Sequence, residues 1–154
     1  MLSSDQKPLE ILNDLNVINN KRIESYHYVD REIDVPVLNA LFERLIGTSL
    51  ECKKELRGEI YKLGGMPSEI FLWEKDLRKR LRSLVSLSRS DHKAILDSFV
   101  QEEDAVISCY ESALSDTDEN ITTQHYRLFN KHCQLIRSDQ EKIKNLLDVF
   151  NKYS

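Results

Sequence analysis

The stretch SLECKKELRGEIYKLGG, Ser49 to Gly65, decides the fold. It spaces Glu51, Glu55 and Glu59 four residues apart, then ends on Gly64-Gly65 with Pro67 close behind. Glycine at a helix C-terminus supplies the left-handed residue that ends the helix, and the proline prevents its resumption. Glutamates at this spacing share one side of a helix. They point either inward as metal ligands or outward as solvated charges.

Working back from the stop, the helix reaches Asp34, which reads as an N-cap, with Pro36 in the first turn. A helix over about 35–63 is roughly 28 residues and ~42 Å long. Few breakers interrupt the rest of the chain. A first helix spans about 5–31. After a connection over 66–90, with a short helix from Leu72 to Leu87, Ser90 or Asp91 caps a third long helix over 91–114. The polar turn SDTDEN, Ser115 to Asn120, leads into a fourth over 119–150. Long amphipathic helices with one long connection in the middle predict an all-α, antiparallel four-helix bundle. It is ferritin-like, with a helical crossover between helices 2 and 3. The 154 residues form a single domain, 1–154.

Composition agrees with long helices: 4 Gly, 3 Pro and 31% charged residues. A net charge of −4 argues against a dedicated nucleic-acid binder. No apolar run is long enough for a membrane helix, and the N-terminus lacks the pattern of a signal peptide, so a cytoplasmic protein is expected. Cys52, Cys109 and Cys133 show no zinc-type spacing and read as small thiols in a reducing compartment.

Projection at 100° per residue gives each helix a buried stripe. The first stripe contains Leu12, Leu15, Ile23 and Tyr26, with Asn19 in its middle and Arg22 at its side. The second runs Leu38, Leu41, Phe42, Leu45, Ser49, Cys52, Leu56, Ile60 and Leu63. The third centres on Phe99, Val106 and Tyr110, with Glu103 among them and Glu102 at the edge. In the fourth, Phe129, Cys133, Ile136, Gln140, Ile143, Leu147 and Phe150 alternate steps of four and three. The stripes are apolar at their ends and polar or small near the middle. A polar core layer of Asn19, Tyr26, Glu103, Tyr110 and Gln140 is therefore expected. It is either a satisfied network that fixes helix register or a ligand or metal pocket.

The same phases place none of the Ser49–Gly65 glutamates at the centre of the stripe. Glu51 lies nearly opposite the stripe, Glu55 on its flank, and Glu59 near its edge at the helix end. A carboxylate-bridged di-iron centre needs inward glutamates on two helices and Glu-x-x-His on the other two. This chain holds one such motif, Glu24 to His27, and its glutamate points outward. Glu103 alone is well placed, with Glu102 and His132 as the remaining weak metal candidates. His27, His92, His125 and His132 are scattered and read as surface or edge residues.

Five segments occur in the order of a known family: LNDLNVINNKRIESY (Leu12–Tyr26), LNALFERL (Leu38–Leu45), ELRGEIYKLGGMP (Glu55–Pro67), DHKAILDSFVQEEDAVISCYESAL (Asp91–Leu114) and KIKNLLD (Lys142–Asp148). The chain resembles the DUF2383 family of bacterial four-helix bundles over nearly its whole length. The resemblance implies a ferritin-like fold and no established activity. It also implies a Glu at the position of Val17, and often a His-Asp pair at the position of Gln140-Glu141. The Glu103-Asp104 pair is present. Glutamine keeps hydrogen bonding there but neither titrates near neutral pH nor ligates metal well.

KDLRKRLRSL, Lys75 to Leu84, is the one strong basic cluster. Trp73, Leu77, Leu81 and Leu84 would lie on the bundle, leaving Arg78, Lys79 and Arg82 as a possible docking face. No phosphate loop, nucleophile elbow or zincin motif occurs. The reading is a non-enzymatic, interaction or stress-associated bundle without a cofactor, either a homodimer or bound to another protein. The alternatives are a ferritin-like metal binder with a degenerate carboxylate/His site, or a binder of a small apolar ligand in the core.

Overall fold

The computed structural model describes residues 6–68, 75–88, 91–116 and 121–152. These form five helices: α1 (Gln6–Glu32), α2 (Pro36–Lys62), α3 (Lys75–Ser88), α4 (His92–Leu114) and α5 (Thr123–Lys152). Trp73, expected as the anchor of the crossover, lies outside the described residues, as do the first residues predicted for the fourth long helix.

The Ser49–Gly65 stretch ends as its sequence requires. Gly64 has φ +77°, its N–H donates to the Tyr61 carbonyl at 2.9 Å, and the Gly65 N–H donates to the Ile60 carbonyl at 3.0 Å. This pair of bonds is a Schellman motif, and it satisfies carbonyls that the helix itself leaves open. The start of α2 differs from the expectation. Val35, not Asp34, is the N-cap residue, and Pro36 is the first helical position. Asn39 takes over the capping: its Oδ1 accepts from the Val35 N–H at 2.9 Å, and its amide donates to the Asp30 and Ile33 carbonyls. One side chain thus ties the end of α1 to the start of α2. Asp91 caps α4 as expected, accepting from the Lys93 N–H at 3.0 Å.

Helices α1 and α2 form one hairpin, α4 and α5 a second, and the hairpins pack face to face. Cross-links fix the directions. Asn19 meets Tyr110 while Tyr26 meets Phe99, so α1 and α4 are antiparallel. Arg44 meets Asp139 while Glu59 meets His125, so α2 and α5 are antiparallel too. The result is an all-α, antiparallel four-helix bundle in which α2 and α4 run the same way. The chain between them must therefore travel back along the bundle. Helix α3 lies on that path, against α4 and α1. Leu77, Leu81 and Val85 face inward, while Arg78, Lys79 and Arg82 are exposed.

The core has two apolar ends. One gathers Tyr26, Val29, Leu38, Phe42, Leu45, Ile95 and Phe99. There Phe99 sits edge-on to Tyr26 at 4.8 Å and to Phe42 at 5.7 Å, a geometry that the ring quadrupoles favour. The other gathers Leu12, Leu15, Leu56, Ile60, Tyr110, Phe129 and Ile136. Between the two ends lies a polar layer.

Candidate functional site

At the centre of the layer is an ion pair. Arg22 on α1 is 4% exposed and Glu103 on α4 is fully buried. The guanidinium donates through Nε (3.2 Å) and Nη2 (3.2 Å) to Glu103 Oε1, and through Nη2 (3.1 Å) to Oε2. The Tyr26 hydroxyl donates to the same carboxylate. Burial pushes the Glu103 carboxyl up, while Arg22 and Tyr26 pull it down. Burial also opposes the Arg22 charge, but Glu103, followed by Tyr26, Cys52 and Asp139, outweighs it and holds the guanidinium protonated. Burial has the larger effect, so the Glu103 pKa lies above its ordinary value, while the bidentate guanidinium and the Tyr26 hydroxyl favour the carboxylate form.

From this pair a chain of hydrogen bonds crosses the core. Arg22 Nη1 donates to Asn19 Oδ1 at 3.1 Å, and Asn19 Nδ2 donates to the Tyr110 hydroxyl at 2.9 Å. The Tyr110 hydroxyl lies 3.0 Å from His132 Nδ1, and His132 Nε2 lies 3.2 Å from Glu55 Oε1. Donor and acceptor rules assign the tautomer. A neutral His132 with its proton on Nε2 donates to Glu55 and accepts from Tyr110, so every bond points from the core towards the surface. Lys131 closes the chain, donating to both Glu55 oxygens at 3.0 and 3.1 Å.

Burial lowers the His132 pKa, with Glu55 opposing, so the imidazole is neutral near pH 7. Burial likewise pushes the Cys52 thiol up to about 12 despite Arg22, and holds the Tyr110 phenol well above its ordinary range. Neither side chain presents an anionic nucleophile at neutral pH.

Four of the five residues expected in the polar layer, Asn19, Tyr26, Glu103 and Tyr110, belong to this network. Gln140 does not. It is buried between α4 and α5, where its amide donates to the Val100 carbonyl at 2.9 Å and to Asp104 Oδ1 at 2.7 Å. The weak metal candidates are separated by their partners. Glu103 is held by Arg22, and Glu102 turns outward to Lys21 (3.9 Å) and Arg80 of α3 (3.3 Å). His132 engages Tyr110 and Glu55. Among the described residues no three His, Cys, Asp or Glu side chains converge as a metal site.

Four placements correct the sequence reading. Arg22, placed at the side of its stripe, is inside. His132 and His125, read as surface or edge residues, are buried, and His125 lies 3.3 Å from the equally buried Glu59. Asp139, not singled out at all, is buried between Arg22 (3.8 Å) and Arg44 (3.5 Å). The signal was present in the spacing. Leu15, Asn19, Arg22 and Tyr26 follow steps of four, three and four. His125, Phe129, His132, Ile136, Asp139 and Ile143 continue the same alternation beside the apolar seam of α5. A core-facing helix buries a face wider than one seam, so both are covered.

Fold and site together define an all-helical bundle protein with a buried, charge-paired core network. The chain belongs to the DUF2383 family, described as a domain of unknown function, whose model matches residues 7–116. The match takes in α1 to α4, and with them Asn19, Arg22, Tyr26, Glu55, Glu103 and Tyr110. Helix α5, with His132, Asp139 and the KIKNLLD segment, lies beyond it. The search of curated proteins gave no match. Among the described residues no helix is long and apolar enough to cross a membrane.

Proposed function

We propose that the chain is a non-enzymatic, ferritin-like bundle that serves as an interaction protein, with a core built for rigidity rather than metal chemistry. The observation that carries this reading is the Arg22 guanidinium on both oxygens of Glu103. In a metal-binding bundle, inward carboxylates face a cation supplied from solution. Here the cation is a side chain. A metal ion would have to displace the guanidinium and leave it buried without its partner, which is strongly unfavourable. The up-down-down-up connectivity with α3 on the return path supports the ferritin-like assignment. The exposed basic side of α3 offers a surface for a protein partner.

The test is metal analysis of protein purified without a metal-affinity tag, alongside an iron-oxidation assay. The expected result is no stoichiometric iron and no ferroxidase activity. Two iron atoms per chain with rapid oxygen-dependent oxidation would overturn the reading.

A further inference from the structure

A small cavity between α1 and α4 holds about 40 Å³. Buried Ser25, Tyr26, Phe99 and Val106 line its inner part, beside Arg22. Lys21, Glu102 and Ala105 also line it and reach solvent, so they mark its opening. Glu102 is held there by Lys21 at 3.9 Å and by Arg80 of α3 at 3.3 Å. The space exists because Ser25 on the α1 wall and Ala105 on the α4 wall are small.

Ser25 is the unusual group. It is 9% exposed, yet its hydroxyl makes no hydrogen bond with any described residue. A helical serine or threonine can donate to the carbonyl four residues back, as Thr48, Ser49 and Ser83 do in this chain. Ser25 makes no such bond, and it lines the cavity. A buried hydroxyl without a partner carries a desolvation cost, which a polar atom inside the cavity would remove. The rest of the inner wall suits carbon. Phe99, Val106 and the Tyr26 ring are apolar, the Tyr26 hydroxyl is spent on Glu103, and Arg22 is engaged by Glu103 and Asn19. A buried water typically needs two to four polar partners, and this inner wall offers the Ser25 hydroxyl.

We propose that the cavity binds a small neutral molecule with an apolar body and one hydrogen-bonding oxygen, the chemistry of a short-chain alcohol. The oxygen meets Ser25, and the carbons lie against Phe99 and Val106. An ionic ligand would lose its hydration with no free counter-charge inside to replace it. The volume is roughly a quarter of the ~150 Å³ that accommodates benzene in a protein interior, which leaves room for about two or three heavy atoms. The inference goes beyond the function proposed above, since it holds with or without a protein partner.

NMR titration of the full chain with ethanol, and separately with xenon, tests it. Three heavy atoms bind no tighter than about 0.5 mM, so the ethanol series extends to about 100 mM. Saturating shifts are expected at the amides of Ser25, Phe99 and Val106. Ser25→Ala should weaken ethanol about fivefold by removing one hydrogen bond, while xenon, which has none to lose, binds as before. Ala105→Leu should weaken both probes at least about tenfold by filling the opening. Leucine follows alanine closely in helix propensity, so the melting temperature of that variant should stay level. Shifts that grow linearly with ethanol, or that saturate away from these residues, overturn the inference. So does a cavity that holds water alone, with neither probe moving these amides. A Ser25→Ala variant that binds ethanol as tightly as the parent, or an Ala105→Leu variant that binds both probes unchanged, overturns it equally.

Discussion

Replacing Arg22 by methionine keeps most of the side-chain volume and removes the charge. The structure gives the consequence a size. Glu103, fully buried, loses its three guanidinium contacts at 3.1–3.2 Å and keeps the Tyr26 hydroxyl. Asn19 Oδ1 loses a donor, and Asp139 loses a cation at 3.8 Å. Breaking a buried pair from one side costs about 3–5 kcal/mol. For a chain of this length that lowers the melting temperature by roughly 6–20 °C. Glu103→Gln should cost less, because a neutral amide still accepts from Arg22. The double variant Arg22→Met/Glu103→Gln should be much more stable than the sum of the single losses predicts, which is the signature of direct coupling. The loss in Arg22→Met also depends on pH. Burial already raises the Glu103 pKa in the parent, and without the guanidinium burial and Asp139 raise it further. A carboxyl raised on folding favours the folded state below its unfolded pKa and loses that contribution as pH rises through the folded value. The variant should therefore be most impaired at pH 8 and recover towards pH 5. Urea titrations of the parent and three variants at both pH values provide the measurement. Additive losses, or a single-variant loss under about 1 kcal/mol, would refute the buried-pair reasoning.

Three further outcomes are expected. Tyr110→Phe removes the hydroxyl that joins Asn19 to His132 and should cost ~1–3 kcal/mol in the urea midpoint. Because burial depresses the His132 pKa below 6.5, its contribution is complete above that value and is lost as pH falls through the folded pKa. His132→Gln should flatten the stability curve just below pH 6.5, as followed by thermal melts across pH. Gly64→Ala, at φ +77°, should destabilise by about 1 kcal/mol or more, and Gly47→Ala, in an exposed helix interior, should stabilise by roughly 0.5–1 kcal/mol. Charge reversal at Arg78 and Arg82, exposed on α3, should change stability by less than ~0.5 kcal/mol, while weakening any partner bound on that face, most clearly at low salt.

The helices, their stops and the stripe phases were legible in the sequence because each depends on neighbours within a few residues. Gly64-Gly65 ends α2 through bonds to Ile60 and Tyr61, and Asp91 caps α4 through Lys93. The outward turn of Glu51 and the inward turn of Glu103 follow from a fixed 100° step. The alternation of apolar ends with a polar middle was visible for the same reason. What a polar residue does inside the bundle was decided by the tertiary structure alone. Arg22 and Glu103 are 81 positions apart, and His132 and Glu55 are 77 apart. No local pattern distinguishes a carboxylate awaiting a metal from one facing a guanidinium. The spacing of Leu15, Asn19, Arg22 and Tyr26 turns Arg22 inward, but only the packing of α1 against α4 determined which carboxylate it would find.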